Sequence, residues 1–214
     1  MQAALKLMLI LAIFFASTFI LVKSTGIITI EKIEIWLNAA HNTAGAVTAS
    51  VVVVLLFADL FIAIPTLTVT LLSGYFLGPV AGSFAAITGL SFAGIGGYSL
   101  SRRYGDGLLR FLIKTPDKRD EAIRNFRQHG TPVILLARAT PILPEVAACM
   151  AGICGIPFPK FFTLWLISAI PYALIAAYAG SISTLENPMP AIYAAIGLTS
   201  FFWCAWLVFR TKLR

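Results

Sequence analysis

The chain has 214 residues, of which 59% are apolar and only 12% charged, and it carries a formal net charge of +7. A soluble domain keeps about 25% of its residues charged, so this composition, with a mean hydropathy of +0.90, excludes an ordinary soluble protein and places the chain in a bilayer. Cys149, Cys154 and Cys204 lie in apolar surroundings without a CxxC pair, and His41 and His129 stand far apart, so neither a disulfide framework nor a metal is expected.

Leu7 to Val22 is an uninterrupted apolar or small run between Lys6 and Lys23, about the length of a span. No A-x-A pattern follows it, so it is expected to be a retained first helix rather than a cleaved signal. "IITIEKIEIWLNAAHN" comes next, with Ile30, Ile33 and Leu37 on one helical face and Glu31, Glu34 and Asn38 on another, a pattern suited to lying in the membrane interface. Gly45 to Leu100 is nearly continuous apolar sequence, broken by Asp59, by Pro65 and by a glycine series. Ser101 to Gly130 holds eight Lys/Arg and four Asp/Glu and is expected to be a solvated loop with a short helix. Thr131 to Pro159 is apolar again but contains Arg138, Pro141, Pro144 and Glu145. Phe161 to Gly180 and Ala191 to Phe209 are each about one span long, and the chain closes on "RTKLR".

Lys and Arg concentrate on the cytoplasmic side of membrane proteins. The 101–130 segment, the C-terminal tail and the N-terminus are therefore expected to share that side of the cell (plasma) membrane. If Thr131 to Pro159 crossed once, the two spans after it would leave the basic tail outside. Two crossings need about forty residues, and the segment has twenty-nine. It is expected to enter the membrane and return, with Pro141 and Pro144 near the turn. The same parity applied to Gly45 to Leu100 allows three short spans or a re-entrant hairpin plus one span, and Pro65 with the Gly74, Gly78, Pro79 cluster favours the hairpin.

The two segments read alike. Asp59 lies six residues before Pro65, and Arg138 six residues before Pro144; glycines then follow at Gly74 and Gly152, and glycine plus proline at Gly78, Pro79 and at Gly155, Pro157. The expected fold is an all-α polytopic membrane protein: an inverted repeat of two opposed re-entrant helical hairpins, about four transmembrane helices and an interfacial helix. Its parts are residues 1–44 (first helix and interfacial helix), 45–180 (a core with hairpins at about 45–79 and 131–159) and 181–214 (last helix and tail). Inverted repeats with broken helices are a transporter signature, with the site where half-helices meet. Ionisable side chains at that depth cost about 2.5–3.5 kcal/mol each on insertion scales, so they face a cavity and pair. Asp59, Arg138 and Glu145 are accordingly expected to face one another, with Pro65, Gly74, Gly78, Pro141, Pro144 and Gly152 as hinges. The competing expectation is an Asp59–Arg138 ion pair that only locks the hairpins together.

At "LLFADLFIAIP", "GSFAAITGLSFAGIGGYSLSRRYG", "FRQHGTPVILLARATPILPEVAACMAG" and "IPFPKFFTLWLISAIPYALIAAYAG", roughly Val51 to Gly180, the chain resembles the DedA superfamily, also called VTT-domain or SNARE-associated-like proteins. The resemblance implies two opposed re-entrant hairpins and movement of phospholipid or polyprenyl-phosphate between leaflets by a flippase or scramblase, in some members linked to protons. Asp59 matches the family's acidic residue in the first hairpin and Arg138 its arginine in the second. Many bacterial members carry another arginine a few residues later, where this chain has Pro144 and Glu145.

The function expected is thus lipid transport, with Arg138 on a phosphate head group and Asp59 and Glu145 either handling protons, as the coupling ion, or gating the site. Two alternatives are a proton- or ion-coupled exporter of a small solute and a membrane scaffold acting through the basic 101–130 segment. No GxSxG, HExxH or P-loop is present, so an enzyme is not expected, nor a cofactor or nucleic-acid partner. Tyr98 and Arg102 are expected as interfacial anchors. Small-xxx-small faces such as Gly78-x3-Gly82 allow close packing within one chain or in a homo-oligomer.

Overall fold

The computed structural model describes residues 2–25, 29–41, 44–62, 64–112, 115–184 and 187–212, and among them the chain is helical with no strand. Eight α-helices follow in order: α1 (Gln2–Thr25), α2 (Ile30–His41), α3 (Gly45–Ala58), α4 (Thr66–Leu112), α5 (Pro116–Leu136), α6 (Leu143–Ile153), α7 (Phe158–Ser181) and α8 (Met189–Lys212). A short 3-10 turn, Ala137–Ala139, separates α5 from α6.

Three stretches are long and apolar enough to cross a membrane: Thr66–Gly105, Phe158–Ser181 and Met189–Val208. About four were expected. The apolar stretch of α1 among the described side chains is the shorter Leu7–Thr18. Large apolar side chains such as Phe84, Ile167, Ile196 and Phe201 are more than half exposed, a surface that water would not tolerate and lipid does. In α2, Ile33, Leu37 and Ala40 are buried and Glu31 is exposed; Ile30, assigned to the apolar face, is exposed as well.

Two breaks of the same kind shape the core. Gly78 interrupts α4 with φ 79 and ψ 174, a backbone state that essentially only glycine adopts, and Pro79 then starts a new limb without needing an amide donor. Gly155, with φ 67, stands between α6 and α7, and Pro157 is the N-cap of α7. Each short apolar helix packs against the long helix that follows the other break. The first limb of α4, residues 66–77, lies on α7, where a Cβ at Gly74 would strike the Ala177 carbonyl and one at Gly180 the Leu71 carbonyl. The short helix α6 lies on the second limb of α4, where a Cβ at Gly152 would strike Tyr98 O. The α4–α7 contact is the most extensive in the molecule.

Gly74 and Gly152, expected as hinges, are therefore close-contact residues inside helices; the backbone turns at Gly78 and Gly155. The basic 101–130 segment is also more regular than a loop. It comprises the end of α4 and most of α5, with residues 113–114 outside the described ones. Ala122, Phe126, Gly130 and Ile134 form the buried stripe of α5.

Candidate functional site

Asp59 ends α3 and begins the first interhelical turn, and it is only 7% exposed. Its Oδ1 accepts the Ile64 amide at 2.7 Å and its Oδ2 the Thr66 hydroxyl at 2.7 Å. One carboxylate thus holds the turn and fixes the start of α4, which Pro65 alone would leave without a cap.

The second turn carries Arg138 in its 3-10 segment and ends at Ile142, whose φ of 74 is left-handed. A β-branched residue there is strained by about 1–3 kcal/mol, and such outliers concentrate at functional sites. Glu145 follows in the first turn of α6, whose N-cap, Ile142, offers no side-chain cap. Glu145 lines the same cavity as Asp59.

The expected convergence of Asp59, Arg138 and Glu145 is the arrangement present, but the Asp59–Arg138 ion pair is not. Among the described residues Arg138 has no salt bridge within 4.0 Å, and its buried Nε and Nη2, like the buried Oε2 of Glu145, lack a hydrogen-bond partner. The guanidinium lies instead between two rings of α7, with Cζ 5.3 Å from the Trp165 centroid and 4.9 Å from that of Tyr172. Desolvated cation–π contacts of this kind contribute about 2 kcal/mol. They leave the in-plane N–H groups free. Trp165 is itself fixed, since its indole N–H donates to Leu90 O at 3.0 Å.

These groups surround a cavity of about 480 Å³ that Asp59, Thr66, Arg138, Glu145 and Tyr172 line, with Phe15 of α1 and Thr199 of α8 closing it. Both interhelical turns open on it, and so do the N-termini of α4 and α6, where unpaired amides favour an anion. A larger apolar groove of about 940 Å³ between α3 and α4 has no ionisable lining. Of these two cavities, the smaller alone is lined by ionisable side chains. It holds a buried guanidinium with two unpartnered nitrogens, the first residues of α4 and α6, and the carboxyl groups of Asp59 and Glu145. No group of three or more His, Cys, Asp or Glu among the described residues could hold a metal.

Sequence reasoning missed Trp165, Tyr172 and Thr66. Trp165 and Tyr172 are seven residues apart, on one face of a helix, and that spacing opposite a lone buried arginine is the signal that would have found them. Tyr98 departs from its expected place as an interfacial anchor: it is 7% exposed, donates to Ile156 O at 2.7 Å and stacks on Phe161.

Residues 64–182 match the VTT domain family, over both turns except the first residues of the Asp59 turn. Among curated proteins, undecaprenyl phosphate transporter A of Bacillus subtilis is 26% identical over 53% of this chain and 55% of its own length. An uncharacterized membrane protein of Synechocystis sp. is 32% identical over 59% of this chain and 64% of its own. The matches thus span between half and two thirds of those relatives. No solved structure matches the chain.

Proposed function

This chain belongs to the VTT-domain family, the DedA family, and from that premise we propose that it is a membrane transporter that moves a phosphate-bearing lipid carrier, of the polyprenyl-phosphate kind, between leaflets. One observation carries the reading: a buried arginine with two unpartnered N–H groups in a cavity built by two helix turns. An unsatisfied buried donor costs about 1–3 kcal/mol, more when charged, and a guanidinium fits phosphate oxygens bidentately. The head-group phosphate sits on Arg138 Nε and Nη2, with the N-termini of α4 and α6 sharing its charge, while the apolar tail stays in lipid. The similarity to a transporter of undecaprenyl phosphate favours this carrier class.

In this reading the two helix–turn–helix units, at about 45–79 and 131–159, are re-entrant hairpins entering from opposite faces of the plasma membrane. The matching breaks at Gly78 and Gly155, and the way each short helix packs on the other unit's long helix, support an inverted repeat. The basic end of the bundle and both termini face the cytoplasm. Asp59 and Glu145 hold the coupling proton, because both carboxyl groups line the cavity that Arg138 lines. Gly78, Pro65, Pro141 and Pro144 lie at the backbone turns about which the hairpins move.

The test is binding of a short-chain, detergent-soluble polyprenyl phosphate to the full chain in neutral detergent. Wild type binds it in preference to the corresponding alcohol, and Arg138→Gln loses at least tenfold in affinity. Equal affinity for phosphate and alcohol contradicts the reading.

A further inference from the structure

The end of α6 remote from the cavity carries a second arrangement of cations. Arg127, on α5, donates from Nε to Cys154 O at 2.7 Å and so closes the C-terminus of α6. The next carbonyl but one, Ile156 O, is taken by Tyr98. Between them lies Gly155, where an added Cβ would collide with Arg102 Nη1 and lie 3.0 Å from Arg127 Nη2. The guanidinium groups of Arg102, from α4, and Arg127 therefore stand side by side over a glycine that leaves them room. Both side chains are exposed. Neither forms a salt bridge within 4.0 Å among the described residues, and Arg102 makes no hydrogen bond there.

Two adjacent guanidiniums repel, and only one N–H of the pair is used by the protein. The group that balances both is an anion with several oxygens, which planar N–H forks bind two at a time. Depth narrows the choice further. Arg102 lies within the last turn of the apolar stretch Thr66–Gly105, beside the exposed Tyr104, whose ring carries Arg103 at 5.8 Å. Aromatic and basic residues at the end of a span stand at head-group level. We propose that Arg102 and Arg127 form a second phosphate site, for the head group of an anionic lipid at the membrane surface. It lies one length of α6, about 16 Å, from the cavity. Gly155 keeps the space open, and Arg127 spends Nε on α6 while its Nη groups face the ligand.

The experiment uses the full chain carrying Arg138→Gln, so that the cavity contributes nothing, and measures binding of dioctanoyl phosphatidate and, separately, of inorganic phosphate. Phosphatidate binds, Arg102→Gln weakens it at least tenfold, and Arg102→Lys restores part of the loss. Thermal stability stays unchanged, because Arg102 makes no hydrogen bond or salt bridge among the described residues. Inorganic phosphate binds far more weakly than the lipid. Phosphatidate affinity indifferent to Arg102, in both variants, overturns the site; inorganic phosphate binding as tightly as the lipid and through Arg102 overturns the lipid assignment. Either result is independent of whether the cavity transports a polyprenyl phosphate.

Discussion

The charged residues of the cavity differ in how fully the protein pairs them: Asp59 is fully engaged, while Arg138 and Glu145 keep buried atoms without a partner. Asp59 has both oxygens engaged by the turn that starts α4. Asp59→Ala is expected to cost about 0.5–2 kcal/mol, the usual loss of a cap, read as a lower melting temperature in detergent. Arg138→Gln removes a cation whose Nε and Nη2 have no partner, and relief of that buried, unsatisfied charge offsets the loss of its ring contacts, so its melting temperature is expected to hold while transport fails. A fall in stability as large as that of Asp59→Ala would make Arg138 structural instead. Trp165 is a positioning residue, anchored to Leu90 O and facing the guanidinium. Trp165→Phe keeps a ring but loses the anchor, and Trp165→Leu loses both. Transport is expected to weaken stepwise through these two, chiefly as a raised half-saturating lipid concentration. Asp59, Arg138 and Glu145 were legible in the sequence because ionisable side chains in apolar segments have few stable placements. Their aromatic supports were not, since rings in a spanning helix look alike whether they face lipid or a cation.

Among the elements, the short helices and their breaks separate two uses of glycine that a sequence alone merges. Gly78 has open space around its missing side chain, so Gly78→Ala is penalised only by its backbone, about 1–3 kcal/mol. Gly74→Ala keeps a relaxed backbone but drives a methyl into Ala177, forcing the first limb of α4 off α7; overpacking of this kind costs about 1–3 kcal/mol. Both variants are expected to melt lower than wild type. Pairing Gly74→Ala with Ala177→Gly is expected to restore nothing, because the collision is with the Ala177 backbone. Recovery in that double variant would show a side-chain contact. Reading Gly74 and Gly152 as hinges failed for this reason: a residue that allows close approach and one that allows a positive φ are written with the same letter. The helical nature of 116–136 was hidden by its charges, although Ala122, Phe126, Gly130 and Ile134 recur every fourth residue.

At the scale of the whole molecule, α7, Phe158 to Ser181, is long and apolar enough to cross a membrane, and in the proposed topology it separates the basic end from the α7–α8 link. In a chain freed of Cys149, Cys154 and Cys204, His129→Cys is expected to react with an impermeant maleimide only after cells are opened, and Thr184→Cys in intact cells. Labelling of both from one side would contradict the topology. The polytopic, all-helical class followed from composition and span length; the exchange of short helices between the two units did not, because it depends on contacts between residues about fifty to a hundred positions apart. The cavity draws one turn from each unit and walls from α1 and α8, outside the family match at 64–182, so the candidate site is built by more of the chain than that segment. The most direct measurement is leaflet-to-leaflet movement of a fluorescent polyprenyl phosphate in proteoliposomes, comparing wild type with Arg138→Gln at equal reconstitution. Movement by wild type and its loss, at least tenfold, in the variant is the result predicted; equal movement by both, or none by folded wild type, would contradict a phosphate site at Arg138.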